Sequence, residues 1–503
     1  MIARRRWLGQ ALVAAVSAPA LIRHASAADV PRFELGVASG HPRPDGMVLW
    51  TRLTGTDLAE RIEVAWEVAL DEAFTQIAAR GSEQAEAAWA HSVHAEPSGL
   101  APGRVYWYRF SALGARSRVG RTRTAPAPDA AATLRFVIAS CQRFDAGHYA
   151  AWRDVVESDP ELVLFLGDYI YESGSPPGAL RAVEGGPART LAGYRRRYAQ
   201  YKSDPLLQAA HAAAPWLMVW DDHEVENDYA GRQSQTLQFG FASQRQAAYQ
   251  AYWEHLPFPK SARPSGPDMR ITGALDWGRL ARIHLLDDRQ YRDPQACPRP
   301  SRGGSNTVKL RDCPDLLDPK RTLLGTEQEQ WLQQGWSLER SWNLLAQQTL
   351  MARFSWQDAG ADATYWTDGW DGYAPARKRL LSAAAERKVP GLVVLGGDVH
   401  THYVAQLKAD YDDARSPVVG AEFCGTSISS PSLAQARIDA ALAFNPHVLH
   451  GRGTHRGTVH FKLDARSLQA DLRAVDDARD AASAVRSAAR FVVLVGQPGV
   501  QPA

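Results

Sequence analysis

The sequence predicts an α/β sandwich of sheets and helices, preceded by a small all-β domain of the immunoglobulin or fibronectin kind. Three observations predict it. Short alternating stretches separated by turn signals fill residues 29 to 128. From Leu134 onward, apolar runs alternate with helical patterns, as in sheets linked by helical crossovers. Several of those runs end in residue types that bind metals. The chain of 503 residues is too long for one small core and suits two or three domains. A formal net charge of +2 with 22% charged residues and no basic tract excludes a tail that tracks nucleic acid, so no nucleic-acid-binding surface is expected. Sixteen Trp and sixteen Tyr argue for large packed cores and aromatic-lined clefts.

Residues 1–27 read as a leader. Arg4-Arg5-Arg6-Trp7-Leu8 precedes an apolar run broken by Pro19, and Ala25-Ser26-Ala27 fits small-x-small cleavage. The run is too short for a membrane span, so no transmembrane anchor is expected after cleavage. A twin-arginine pair followed by an aromatic and a Leu points to export in the folded state through the twin-arginine machinery; the alternative is an ordinary Arg-rich secretory signal. The expected location is periplasmic or secreted.

Residues 28–128 are expected to form the β-sandwich. Met47–Thr51, Ile62–Val68, Val105–Phe110 and Ser117–Thr122 are its strands, and Gly99-Leu-Ala-Pro-Gly103 is a turn. This region carries no catalytic cluster. Thr124–Asp129 is the linker to a catalytic domain spanning 129–503. There, Phe136–Gln142 and Leu162–Glu172, apolar runs ending in metal-binding residue types, read as buried strands around a helix between Gly147 and Ser158. Tyr194–Tyr201 and Gln244–His255 are helical. Pro215–Trp220, Leu280–Leu286 and Trp342–Gln347 are further strands, and Leu392–His400 is another strand, ending in ligand-type residues. Thr326 caps a helix with Glu329 three residues later. Thr458–Leu463 and Phe491–Val495 are expected at an edge or in a second sheet. Residues 293–322 form a long loop in which a Cys297–Cys313 disulfide is plausible, whereas Cys424 reads as buried and inert.

Ligands of open α/β sheets gather beyond the carboxyl ends of the strands. Cys141, Gly167-Asp168-x-x-Tyr171, Asp221-Asp222-His223-Glu224 and Gly397-Asp398-x-His400 all fall there. Any one of these is ordinary by chance; together they describe one cleft. If the strand before Asp398 continues, alternation puts Asp398, His400 and His402 on one face, with His402 the second choice. Arg143 and Arg289, beside strand ends, are candidate phosphate-binding groups or surface ion pairs. His41 and His211 read as surface or core residues, while His447, His450 and His455 have the option of lining the cleft.

Gly167-Asp168-x-x-Tyr171, Asp222-His223-Glu224 and Asp398-x-His400 resemble the blocks of calcineurin-like metallophosphoesterases. The fuller strings Ala139–Gln142, Gly167–Glu172, Trp220–Asn227, Leu395–His400, Phe33–Gly40, Leu49–Arg52 and Gly425–Ser430 resemble one branch, the alkaline phosphatase D (PhoD-like) family, over nearly the whole chain. His41-Pro42 departs from that family's usual Asp-Pro, and His402 adds a histidine after the last block.

The resemblance implies a metallophosphoesterase-like fold, a phosphate-ester substrate, and a site holding Fe3+ and Ca2+, with Zn2+ or Mn2+ as the alternative. It implies iron on Cys141 and Tyr171, Asp168 bridging, Asp222 at the second metal, Asp398 and His400 completing the set, and His223 on the phosphate or leaving group. The expected activity is that of an alkaline phosphatase or phosphodiesterase working through a metal-activated water. A phospholipase D-like or nucleotide phosphodiesterase is the neighbouring reading. A non-catalytic exported binding protein is the reading from another class.

Overall fold

The structure is a computed structural model that describes residues 32–503. The leader, with Arg4, Arg5 and the cleavage site at Ala27, lies outside the described residues.

Two large sheets stack face to face. The first has ten strands in the order Gln497–Pro502, Val485–Leu494, Ser467–Val475, Arg456–Leu463, Leu134–Ala139, Leu162–Leu166, Pro215–Val219, Val37–Arg43, Gly46–Arg52 and Ser92–Ala95. The second has seven, in the order Gly273–Trp277, Ala281–Leu285, Trp342–Ala346, Leu392–Gly396, Val418–Cys424, His402–Lys408 and Val448–Arg452. Leu134–Ala139, Leu162–Leu166 and Pro215–Val219 run parallel, as do Ala281–Leu285, Trp342–Ala346, Leu392–Gly396 and Val418–Cys424.

Side-chain alternation along these strands builds the layers. Leu344, Val393 and Leu395 point into the core shared by both sheets, whereas Leu345, Leu392 and Val394 pack outward with Leu332, Leu380 and Leu381 of the helices Thr326–Gly335 and Ala374–Glu386. Across the interface, Phe423 of the second sheet meets Phe461 of the first edge-on at 5.4 Å. On the far side of the first sheet, Trp152 of the helix Ala150–Glu157 packs on Trp216 at 4.9 Å. The result is helix, sheet, sheet, helix, with both sets of parallel strands ending at one edge.

The N-terminal region is all-β, as its alternation predicts. Arg61–Ala69, Ile77–Glu86, Val105–Ala112, Ala115–Arg116 and Gly120–Arg123 form a five-stranded sheet. Its partner layer, Val37–Arg43, Gly46–Arg52 and Ser92–Ala95, is continuous with the catalytic sheet because Ser39 and Gly40 pair in parallel with Pro215 and Trp216.

Four expectations need correction. Arg456–Leu463 is interior to the first sheet, between Leu134–Ala139 and Ser467–Val475, rather than at an edge. Thr326 does not cap its helix; Gly325 holds the N-cap position, and its N–H donates to the Thr322 hydroxyl at 2.9 Å, which in turn bonds Glu329. The strand Leu392–Gly396 stops before Asp398, so alternation does not set that loop. His402 opens the next, antiparallel strand, and its ring is buried, with Nδ1 accepting from the Thr426 N–H and Nε2 facing the Arg473 carbonyl. It belongs to the core.

Cys297 and Cys313 are joined by a disulfide that ties the long loop, with Cα atoms 6.1 Å apart. Cys424 is buried and free.

Candidate metal centre

At the shared edge, the loops after four strands are pressed together by glycines. A Cβ on Gly167 (φ +103°) would lie 2.5 Å from Asp221 Cβ, and one on Gly397 would lie 2.5 Å from Ser140 Oγ. Only glycine permits the first approach within one sheet and the second across the two sheets. Glu224 clamps the same junction: its carboxylate accepts the N–H groups of Asp168 (3.1 Å), Tyr169 (2.5 Å) and Asp221 (2.8 Å). Cys141, Asp168, Asp228, Asp398 and His400 all have φ between +53° and +62°. Left-handed backbone at non-glycine residues is costly and concentrates where side chains must be aimed.

Three groups of ligand-type atoms lie within 4.8 Å of one another: Cys141, Asp168 and His400; Asp168, Asp222 and His223; Asp222, Asp228 and Asp368. Asp168 joins the first group to the second, and Asp222 joins the second to the third. Tyr171 sits in the first: its hydroxyl is 2.8 Å from Asp168 Oδ2, 2.6 Å from Ser430 Oγ and 3.2 Å from His400 Nε2. His400 Nδ1 faces the Pro431 carbonyl at 2.8 Å and must donate to it, so its Nε2 presents a lone pair to the centre. The single phenolic proton cannot serve both Asp168 and His400.

This surplus of acceptors is general. Asp168 Oδ1, Asp221 Oδ2 and Asp398 Oδ2 are buried without a hydrogen-bond partner. Burial, reinforced by neighbouring carboxylates, pushes Asp168 and Asp398 well above the usual carboxylate range and raises the Cys141 thiol and Tyr171 phenol likewise. Burial drops His400 to about 4, leaving it neutral and able to ligate. An acceptor-rich, buried, acidic cluster is what a cation relieves. The residues present fit metal binding.

His223 is placed differently. Its Nδ1 donates to Glu172 Oε2 at 2.7 Å, and its ring lies 4.1 Å from that of Tyr171. Burial alone would lower this imidazole, but the Glu172, Asp222 and Asp168 carboxylates override it and hold the group well above its ordinary value.

The two arginines part ways. Arg143 is half-buried, pairs with Asp145 at 2.7 Å and stands with its guanidinium carbon 5.4 Å from the Tyr171 ring centre. Arg289 is 1% exposed and enclosed by Asp221 at 2.5 Å, Asp368 at 2.8 Å and Asp222 at 3.8 Å. Three carboxylates saturate it, so it neutralises the acidic floor of the centre instead of facing a phosphate.

His447, His450 and His455 do not reach the centre; they contact the Arg353 carbonyl, Phe491 and Arg486 respectively. His211 is a core residue stacked on Trp216, and His41 lies against Phe258. Sequence reasoning gave no role to Asp228, Asp368, Ser430, Glu172, Glu224 or Arg456. Glu172 and Glu224 end motifs already singled out, and Asp228 follows one directly. Asp368 lies in a loop after no strand of either large sheet and offered no signal. Arg456, buried, donates to the carbonyls of Ser430 and His400 and so positions both.

Comparison with known proteins identifies the family. The family model described as PhoD-like phosphatase matches residues 136–472, and the PhoD-like phosphatase N-terminal domain matches 17–126. The chain is 40% identical over 488 residues to alkaline phosphatase D of Bacillus subtilis (strain 168), covering 93% of this chain and 82% of that protein. A solved structure of PhoD superposes with a TM-score of 0.89 at 40% identity, covering 94% of this chain and 92% of the other. A purple acid phosphatase from yellow lupin (Lupinus luteus) seeds shares the fold, with a TM-score of 0.56 at 12% identity over 91% of this chain and 74% of its own. The chain belongs to the PhoD-like phosphatase family.

Proposed function

We propose that this protein hydrolyses phosphate esters at a centre in which Cys141, Tyr171, Asp168 and His400 would hold a ferric ion and Asp222 with Asp228 would hold calcium, with Asp168 shared between the first two groups and Asp398 completing the set. The observation that carries this reading is the run of three donor groups linked through Asp168 and Asp222. Thiolate and phenolate donors suit trivalent iron, and a carboxylate-only group suits calcium. Zinc or manganese remains the competing occupancy, and it predicts a colourless protein. Cations held there supply charge that polarises a phosphoryl oxygen and acidifies a water.

The chain's own residues do the rest. Glu172 holds His223 by Nδ1 and leaves Nε2 to give a proton to the departing oxygen as its bond to phosphorus breaks and water's oxygen forms the new P–O bond. Arg143, at the rim, is the candidate for binding a phosphoryl oxygen. Residues 28–128 shape the cleft as a β-sandwich module, and 129–503 carry the chemistry. Export through the twin-arginine route, to the periplasm or beyond, suits a protein that loads metal before leaving the cytoplasm. The Cys297–Cys313 disulfide supports an oxidising destination. Among the described residues no helix is long and apolar enough to cross a membrane.

Asp222→Ala and His223→Ala separate the roles. Asp222→Ala is expected to lower bound metal and activity together. His223→Ala is expected to keep metal content, read by elemental analysis, while slowing turnover about 100- to 10,000-fold, the range for a lost general acid. Equal metal loss in both variants would make His223 a ligand.

A further inference from the structure

Beside the metal centre lies a cavity of about 300 Å³ that the proposed chemistry does not use. Phe354, Trp356, Trp366, Trp370 and Tyr403 line it. Phe354 meets Trp356 edge-on at 4.9 Å and Tyr403 at 5.0 Å, which gives the walls a fixed geometry. The cavity shares loops with the centre: Val399 and Thr401 flank His400, and Gly369 follows Asp368. A Cβ on Gly369 would touch the Trp366 ring and the Thr349 hydroxyl at 3.4 Å, so glycine keeps that wall clear. A larger cavity, about 750 Å³, lies around Arg135, His460 and Arg490 and shares no residue with the metal-binding loops.

The polar groups of the smaller cavity define its occupant. Thr349 Oγ1 is buried in its wall without a partner. Arg437, exposed at the cavity's edge, holds its guanidinium carbon 4.7 Å from the Trp356 ring centre and has no carboxylate partner among the described residues. The carboxylate in the lining, Asp371, is engaged by Arg377 at 2.6 Å and by the Phe354 N–H at 2.8 Å. Aromatic cages often take quaternary ammonium groups. Here the unpaired cation repels such a headgroup, while ring faces and an unpartnered hydroxyl favour a planar ring carrying polar atoms. The volume sits at the small end for ligand pockets and suits one ring system.

The geometry points to a specificity subsite that takes a planar aromatic substituent of a phosphodiester, the phosphoryl group resting at the metal centre. This deepens the phosphoesterase reading and rests on it. The test uses the metal-loaded full chain and two diesters with the same leaving group, bis(para-nitrophenyl) phosphate and methyl para-nitrophenyl phosphate. Only the retained substituent differs, so the ratio of their kcat/KM values, compared between wild type and variant, isolates the subsite from intrinsic reactivity. Trp356→Ala should lower that ratio about three- to tenfold, the worth of one aromatic contact, mainly through KM. Trp356→Phe, which keeps a ring, should retain most of it, and Trp366→Ala should repeat the loss. A ratio unchanged in both alanine variants, with both diesters hydrolysed, overturns the subsite and leaves the phosphoesterase standing. Wild-type protein that cleaves neither diester overturns the diesterase premise and the subsite with it.

Discussion

Replacing Tyr171 by Phe removes one oxygen atom from the point where the two sheets meet. That oxygen lies 2.8 Å from Asp168, 2.6 Å from Ser430 and 3.2 Å from His400, and the residue is 3% exposed. The ring and its contact with His223 at 4.1 Å survive the change. Losing the hydroxyl strands buried partners, at a cost of about 1–3 kcal/mol. The variant therefore folds, with a modestly lowered Tm. Function suffers far more. Loss of an outer-shell partner of a metal ligand already costs about 10- to 100-fold, so loss of a phenolate ligand is expected to cost at least that much in kcat/KM. The assay is the visible spectrum of concentrated protein together with ester hydrolysis and elemental analysis. Wild type should be coloured by phenolate-to-iron charge transfer; Tyr171→Phe should lose or shift that band, and Cys141→Ser should shift it. An unchanged band in Tyr171→Phe would refute the ligand assignment. A colourless, iron-free and fully active wild type would reject the ferric ion and leave phosphate-ester hydrolysis in place.

Cys297→Ser should lower stability by about 3 kcal/mol, because the disulfide closes a loop with a sequence separation of 16, and differential scanning calorimetry under oxidising conditions reads it. Lys202, 1% exposed, is pulled down to about 7 by burial, with its ammonium 4.1 Å from the Trp50 ring face. Between its folded value and the ordinary one near ~10.4 the unfolded chain binds the extra proton, so stability should rise with pH across that window, by up to ~4 kcal/mol less the favourable cation–π contact. The difference in denaturant midpoint between wild type and Lys202→Met, followed from pH ~7 to ~10, should trace that rise, and a flat difference would show that Lys202 does not titrate there. The exported protein should begin within a few residues of Ala28 by mass spectrometry, and replacing Arg4 and Arg5 together by Lys should block export; normal export of that variant would remove the twin-arginine route.

The amino-acid sequence by itself determined the strands and what stands at their ends. Apolar runs such as Leu162–Leu166 and Pro215–Val219 are long enough to be buried on both faces, and in one parallel sheet their carboxyl ends necessarily share an edge. That was enough to gather Cys141, Asp168, Tyr171, Asp222 and His223; the likeness of its motif suggested that His400 joins them, and the stacking of the second sheet on the first is what brings it there. Local rules failed where the chain left regular structure. Period-two alternation grouped His402 with Asp398 and His400, but φ values of +62° at Asp398 and +53° at His400 turn the loop, and His402 restarts in another strand facing the core. Tertiary structure alone decided the remaining partners. Ser430 reaches Tyr171 across 259 residues, and Asp368 reaches Arg289 from a loop after no strand of either large sheet. Arg289 read from sequence as either a phosphate-binding group or a surface ion pair, and only the enclosure by Asp221, Asp222 and Asp368 showed it to be a buried counter-charge. The N-terminal strands likewise looked self-contained until Ser39 and Gly40 paired with Pro215 and Trp216. The physical reason is the same in each case. Periodicity and turn chemistry are properties of neighbouring residues, whereas a buried charge takes its meaning from whichever distant groups the two stacked sheets bring within a few ångströms of it.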